Sequence, residues 1–422
     1  MTTTSPERLR ITDLRDPVLT DFQRQTWAQA ESYPIPLNLD TVLAAARERT
    51  GLTDFGPDDF HERLSLQLNE IDEDTNRSPV ARLTTFLSSV RYAANRQRVL
   101  DLLRRHPEIH DIEITAPIVV VGLPRSGTTH LVNLLAADAR FRSLPLWESQ
   151  EPLPRPGDEI GPDGLDPRIA RSQRRWDDML AKSPLVAAMH PMNPDHIHEE
   201  LELECLDFSS YNFEWASSMA PRWRDYYLAH DQRPHYEFLA TMLKVLQWHR
   251  GPNRWILKCP QHLEQLGPLM DTFPDATVVM THRDPVSVVQ SAATMNAYGA
   301  RMNFHHVDVD TVFEYWADRV ARLLDAGTRD LAAVPAERRI DVFFDEFMAD
   351  DIGTVERIYA QTGIEFTGLA RAQIDEYLAS HPRGVNGQIV YDLRADFGHE
   401  PAELRTRFAH YLEKFPMKAE VK

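Results

Sequence analysis

Two kinds of hydrophobic pattern divide this chain. Up to about residue 115, apolar positions recur every three to four residues, the period of a helix with one buried face. Leu39, Val42, Leu43 and Ala46 follow that period and stop near Gly51. Phe60, Leu64, Leu68 and Ile71 repeat it, and "SPVARLTTFLSSVRYAANRQRVLDLLRRHP" extends it as far as Pro107. From Pro117 the pattern changes to short continuous apolar runs: "IVVVGL" (118–123), "RWILK" (254–258), "ATVVMTH" (276–282) and "IDVFF" (340–344). Runs of this length predict strands buried on both faces, as in a parallel sheet. The stretch from about 145 to 250, which includes "HPMNPDHIHEELELECLDFSSYNFEW", is too long for an idle connection and is expected to be a helical insertion covering a substrate. "AELRTRFAHYLEKF" predicts one amphipathic helix with Leu404, Phe408, Tyr411, Leu412 and Phe415 on one face.

Strands alternating with helices imply an α/β fold: a P-loop-type, three-layer arrangement of a central parallel sheet flanked by helices, with a ligand crevice at the C-terminal strand ends. The expected domains are a helical N-terminal extension over 1–115 and an α/β domain over 116–422, the helical lid of 145–250 included. The extension carries no visible chemistry; it is read as a cap or interaction arm and as the candidate face for a homodimer.

Composition narrows the function. A net charge of −18 argues against a general nucleic-acid binder, which needs a basic surface. A local cluster of donors can still hold a small anion, because distant charge is screened within about 8–10 Å. Two distant cysteines, Cys205 and Cys259, form neither a disulfide framework nor a C-x-x-C site, which fits a reducing, cytoplasmic setting. The opening "MTTTSPERLRITDLRDP" lacks a signal-peptide core, and no apolar run approaches the roughly 18 residues of a membrane span.

The sharpest chemical signal is "VVVGLPRSGTTHL", residues 119–131. Strand, glycine-containing loop and helix start together point backbone N–H groups at an anion. Ser126, Thr128 and Thr129 add hydroxyls, Arg125 adds a charged donor, and Gly127 lets the backbone close on the oxygens. The loop departs from G-x-x-x-x-G-K-[ST], because Thr128 stands where a nucleotide-triphosphate loop has lysine. Two later strands end in basic residues, "RWILK" at Lys258 and "VVMTHRDP" at His282 and Arg283, and no acidic strand end offers itself for Mg²⁺. That favours a nucleotide without a reacting γ-phosphate, and no metal is expected. In "THRDPVSVVQS", Arg283 either holds a second phosphate bidentately or pairs with a carboxylate such as Asp284; Ser291, two helical turns on, adds a hydroxyl. His190, His196, His198 and Glu199 lie close together, but their spacing lacks the cysteine partners of a structural zinc site; with Tyr211, Phe213 and Trp215 they either line an acceptor pocket or pack on the sheet.

"GLPRSGTTHL" together with "HRDPVSVVQS" resembles the sulfotransferases that use 3′-phosphoadenosine 5′-phosphosulfate (PAPS). The resemblance covers roughly residues 115 to 420, and the preceding helical arm is similar to the large-bodied bacterial branch. It implies that Arg125, Ser126, Gly127, Thr128 and Thr129 grip the 5′-phosphosulfate, and that Arg283 and Ser291 hold the 3′-phosphate. "HPRGVNG" is similar to a basic-glycine segment that closes on the 3′-phosphate, which points to Arg383 and Gly384. Phe344, in "FFDEF", takes the place of an adenine-contacting aromatic or is a core residue. Arg125 and Lys258 are the candidates for charge stabilisation, Lys258 resembling a strand-end lysine of tyrosylprotein-type members. The general base is expected to be Glu148, which follows the first helix of the sheet domain, or His262, although His262 lies farther from the lysine than the cytosolic members' histidine does. The implied reaction moves a sulfuryl group from PAPS to a hydroxyl of a small, apolar or phenolic acceptor and leaves 3′,5′-ADP. The alternatives are a variant P-loop small-molecule kinase or NTPase, and a non-catalytic nucleotide-binding protein.

Overall fold

A computed structural model describes residues 6–162, 164–251 and 253–422; residues 1–5 of the opening stretch lie outside it. The strands are β1 (Arg8–Leu9), β2 (Ile118–Gly122), β3 (Phe141–Arg142), β4 (Arg254–Lys258), β5 (Thr277–His282), β6 (Arg339–Phe343) and β7 (Gln388–Ile389). Five of them form a wholly parallel sheet in the order β3-β4-β2-β5-β6, while β1 and β7 pair separately. The four apolar runs are β2, β4, β5 and β6, so the parallel α/β sheet is as the sequence pattern predicts. The two-residue edge strand β3 is an addition, because "FR" carries no apolar run to announce it.

Side chains alternate across the sheet. Ile118 and Val120 face a core built with Leu131, Leu134, Leu135, Val342 and Tyr359. Val119 and Val121 face a larger core that runs on through Leu43, Leu64, Leu68 and Val99 of the N-terminal helices, and through Leu203, Leu206 and Trp223 of the insertion. The N-terminal helices therefore share one continuous core with the sheet.

Local signals explain the helices. Leu39–Thr50 is capped by the Asn38 side chain and ends at Gly51, whose φ of 72° is the left-handed turn glycine allows. Pro79–Arg105 starts with a Ser78 cap and a first-turn proline and stops before Pro107. The predicted single C-terminal helix is two, Pro401–Thr406 and Ala409–Lys414. Leu404, Phe408, Tyr411 and Phe415 are nevertheless all buried, so the apolar face survives the break between them. No helix among the described residues is long and apolar enough to cross a membrane.

Register brings the site together. Lys258 lies level with Val120, Gly122 with Thr281, and His282 with Phe343. The loop after β2, Lys258 at the end of β4, Arg283 after β5 and Phe344 after β6 thus emerge at one edge of the sheet, where neighbouring connections diverge from β2.

Candidate active site

The loop between Gly122 and Thr128 is held from below. Ser126 Oγ donates to Leu123 O at 2.6 Å and meets Thr281 Oγ1 at 2.7 Å, while its backbone N–H bonds Leu123 O at 3.3 Å. The Ser126 hydroxyl, expected to donate to a phosphate, is here turned into the fold and bonded to Leu123 and Thr281. A Cβ on Gly122 would sit 2.1 Å from Thr281 Oγ1, so only glycine lets the loop leave the strand this close to β5. Arg125 has φ 67°, a left-handed conformation uncommon outside glycine, and Gly127 has φ 85° at the N-cap of helix Thr128–Ala136. The first N–H groups of that helix have no intrahelical partner and carry its positive end.

Basic groups bracket the loop. At its start, Arg125 Nε donates to Ser291 Oγ at 3.1 Å, and Arg283 Nη1 donates to Arg125 O at 2.5 Å. Ser291 stands two turns into helix Pro285–Asn303 and also donates to Tyr391 Oη at 3.0 Å. The Arg283 guanidinium lies 4.0 Å from the centre of the Phe344 ring, and that ring is 3.1 Å from where a Gly127 Cβ would be. Phe344 opens the short helix Phe344–Ala349 and roofs the glycine. Arg283 does not pair with Asp284, which caps its own helix; it grips Glu420 through Nε at 2.8 Å and Nη2 at 2.7 Å. An anion thus already sits in its fork.

At the far end of the loop, Lys258 is fully buried; its Nζ donates to Thr129 Oγ1 at 3.3 Å and pairs with Glu199. A buried ammonium needs such a partner, because taking an unpaired charge out of water costs several kcal/mol. Glu200 turns the other way: both its oxygens accept from the Lys258 backbone N–H, at 3.0 and 3.2 Å, and Oε2 meets His262 Nε2 at 3.3 Å. His262 Nδ1 meets Tyr236 Oη at 2.7 Å, and His262, like Glu200, is fully buried. His262 is brought behind the lysine, with both ring nitrogens occupied.

Glu148 is in a different setting from the one expected. Arg142 Nη2 donates to its two oxygens at 2.8 and 2.7 Å, and Arg250 Nη1 adds a bond at 2.9 Å. Glu148 and Arg142 are both buried, so this carboxylate is the counter-ion that fixes edge strand β3 and does not stand free as a base. Arg383 pairs with Asp351 and approaches His130 Nε2 at 3.0 Å, on the flank of the loop helix; these contacts are not with Arg283 or Ser291. Gly384 has φ 75° and packs against Pro6, beside the β1–β7 pair. Tyr211 and Phe213 are both buried in the large core, and Phe213 lines a small cavity there with Tyr92 and Trp223.

The insertion's histidines gather near the lysine. The His190 and His196 rings are 5.5 Å apart, and those of His196 and His198 are 6.1 Å apart. Burial, reinforced by Lys258 and Arg125, pushes His190 down to about 3. Burial also lowers His196 and His198, so all three are neutral imidazoles at neutral pH. His196 Nε2 and His198 Nδ1 are buried without a hydrogen-bond partner. Among the described residues no group of three or more His, Cys, Asp or Glu is arranged to hold a metal ion.

Glu199 and Glu200 are the site residues that the sequence reading missed; Glu199 was weighed there only as part of a histidine cluster. The pair sits in a run of histidines and acids, "HIHEELELECLD", in which nothing marks these two acids out or links them to Lys258, 58 residues after Glu200.

Comparison with known proteins agrees with this geometry. A family model described as the sulfotransferase family matches residues 117–368, more than half of the chain. Omega-hydroxy-beta-dihydromenaquinone-9 sulfotransferases Stf3 of Mycobacterium bovis and Mycobacterium tuberculosis are 26% identical over 353 residues, which is 78% of this chain and 83% of theirs. Among solved structures, sulfotransferase STF1 of Mycobacterium tuberculosis is 26% identical with a TM-score of 0.76, covering 88% of this chain and 98% of its own. Sulfotransferase STF9 of Mycobacterium avium shares the fold at a TM-score of 0.82 and 24% identity, covering 92% of this chain and all of its own. With that family model covering more than half of it, its lysine supplied by a neighbouring strand and its second basic cluster closing on Arg125, this chain belongs to the sulfotransferase family.

Proposed function

We propose that the protein uses PAPS as sulfuryl donor and sulfonates a hydroxyl of a small, largely apolar or phenolic acceptor. The observation that carries the donor assignment is the pairing of two anion sites on one loop. Arg283 and Ser291 converge at Arg125, and Lys258 reaches Thr129 at the other end. A nucleotide with phosphates at both its 3′ and 5′ positions needs two such sites, whereas a nucleoside triphosphate needs one. The carboxylate of Glu420 in the Arg283 fork supports the fit, since that fork already accepts two anionic oxygens. Phe344, beside both Arg283 and Gly127, offers a flat apolar face for a base.

On this reading the helix N-terminus, Arg125 and Thr129 bind the 5′ end, and Arg283 and Ser291 the 3′-phosphate. The donor supplies an activated sulfuryl group. Lys258 neutralises charge that builds on the departing phosphate oxygen, a preorganised electrostatic role that removes the need for a metal ion. Neutral, partly unpartnered His196 and His198 suit contact with an uncharged acceptor. The curated relatives' names give an omega-hydroxylated dihydromenaquinone, an apolar alcohol, which supports the acceptor class.

Calorimetric titration tests the donor reading. The protein should bind 3′,5′-ADP without metal and far more tightly than 5′-AMP. Binding and turnover of Mg²⁺-ATP with no affinity for 3′,5′-ADP would overturn it.

A further inference from the structure

Sulfonation of a hydroxyl sets a proton free, and some group must receive it. The two expected bases are both committed elsewhere. Glu148 is held by Arg142 and Arg250, and His262 is fully buried between Tyr236 and Glu200. Glu200 is also fully buried, with its oxygens on the Lys258 backbone and His262. The neighbouring imidazole of His190 is too weakly basic, pushed down to about 3 by burial and by Lys258 and Arg125. Glu199 differs from all of these. Its carboxylate lies against the Lys258 ammonium, and its side chain keeps 12% of its surface exposed while Lys258 keeps none. It is the carboxylate beside the lysine that keeps exposed surface.

We propose that Glu199 is the general base of the transfer, an assignment that rests on the PAPS-dependent reading above. The acceptor oxygen bonds to sulfur as the bond from sulfur to the 5′-phosphate oxygen breaks. The electron pair stays on that phosphate oxygen beside Lys258, and the acceptor's proton passes to Glu199 and then to solvent.

The pairing with Lys258 times this step. Burial alone would raise the Glu199 carboxyl, but the Lys258 ammonium, helped by His198 and His190, outweighs burial and holds it below the ordinary range. In the resting site Glu199 is therefore ionised and quiet. When the leaving phosphate draws the Lys258 charge to itself, the stabilisation of ionised Glu199 falls and its proton affinity rises. One lysine thus couples departure of the phosphate to uptake of the proton.

Glu199→Gln keeps the side chain's size and an oxygen for Lys258 but removes the lysine's counter-ion, so the variant should unfold at lower denaturant and is assayed where it is folded; 3′,5′-ADP, which brings an anion to Lys258, should still bind it. With labelled PAPS, kcat toward an aliphatic alcohol or unsubstituted phenol should fall by about 10²–10⁴-fold, the usual contribution of a general base. Toward nitrophenols already ionised at the assay pH, the loss should shrink to a few-fold. A loss independent of acceptor acidity, or no loss, would overturn the assignment. A second readout needs no turnover: 3′,5′-ADP binding measured at mildly acidic pH in buffers of different ionisation enthalpy. The wild type should take up more protons than Glu199→Gln, and equal uptake contradicts the coupling. If the wild type neither binds 3′,5′-ADP nor transfers label, the donor reading falls and Glu199 falls with it. If it does both and the variant matches it, only Glu199 falls.

Discussion

Arg283→Ala should remove affinity for one phosphate and spare the rest of the nucleotide. Arg283 presents Nε and Nη2 to a single carboxylate at 2.8 and 2.7 Å, the spacing of a bidentate, charge-assisted pair. A 3′-phosphate in that fork receives the same two donors. Hydrogen bonds to charged groups contribute about 1.5–3 kcal/mol each. The Arg283 side chain is 20% exposed, and Glu420 must first be displaced, so both effects reduce the sum. A net loss of about 2–3 kcal/mol follows, roughly 30–150-fold in Kd. The assay is parallel titration of wild type and variant with 3′,5′-ADP and 5′-AMP. Arg283 also braces Phe344 and the Arg125 carbonyl, and losing that support weakens both ligands alike. The difference between the two ligands therefore isolates the 3′-phosphate. Affinity for 3′,5′-ADP should fall by the stated factor, and affinity for 5′-AMP by only a few-fold. Equal losses would refute the assignment of Arg283. Glu420→Gln is the reverse perturbation: without the competing anion, 3′,5′-ADP should bind up to about 5-fold more tightly, the scale of a partly exposed ion pair.

Two further outcomes concern the scaffold. Glu148→Gln leaves the buried Arg142 guanidinium without its counter-ion, and denaturant unfolding should show a loss of about 3 kcal/mol; an unchanged midpoint would contradict the structural role given to this carboxylate. Glu204 is buried with Oε2 unpartnered, and burial, then Glu200, raises its carboxyl well above the model-compound value of 4.5. Its folded state holds the proton more tightly than the unfolded chain, so its contribution to stability is present below 4.5 and is lost as pH rises through the raised folded value. Glu204→Gln should not share that loss, and chemical denaturation at pH near 5 and 8 should show the variant gaining on the wild type at the higher pH.

The sheet was legible because its strands are buried on both faces and so read as unbroken runs. β2, β4, β5 and β6 all announce themselves in this way, whereas two-residue β3 has too little sequence to do so. Motif spacing also carried into space: helix Pro285–Asn303 places Ser291 two turns after Arg283, and both reach Arg125. Partners were not legible. Ser126 looked like a ligand hydroxyl, but its Oγ is spent on Leu123 and Thr281. Glu148 looked like a base beside prolines, but it meets Arg250, 102 residues away. Glu199 had no motif at all, since its importance comes from Lys258 arriving on β4. Local periodicity reports which face is buried; it does not report which charge comes to meet which.

The central claim is that this site moves a sulfuryl group from PAPS without a metal, with Lys258 supporting the leaving phosphate. The direct measurement is transfer of ³⁵S from labelled PAPS to a panel of apolar alcohols and phenols in the presence of a chelator, comparing wild type with Lys258→Met. The wild type should label at least one acceptor, and the variant should lose that transfer by about 10²-fold or more while still binding 3′,5′-ADP, as removal of a preorganised charge stabiliser requires. Transfer that depends on added metal, or that survives in Lys258→Met, would contradict it.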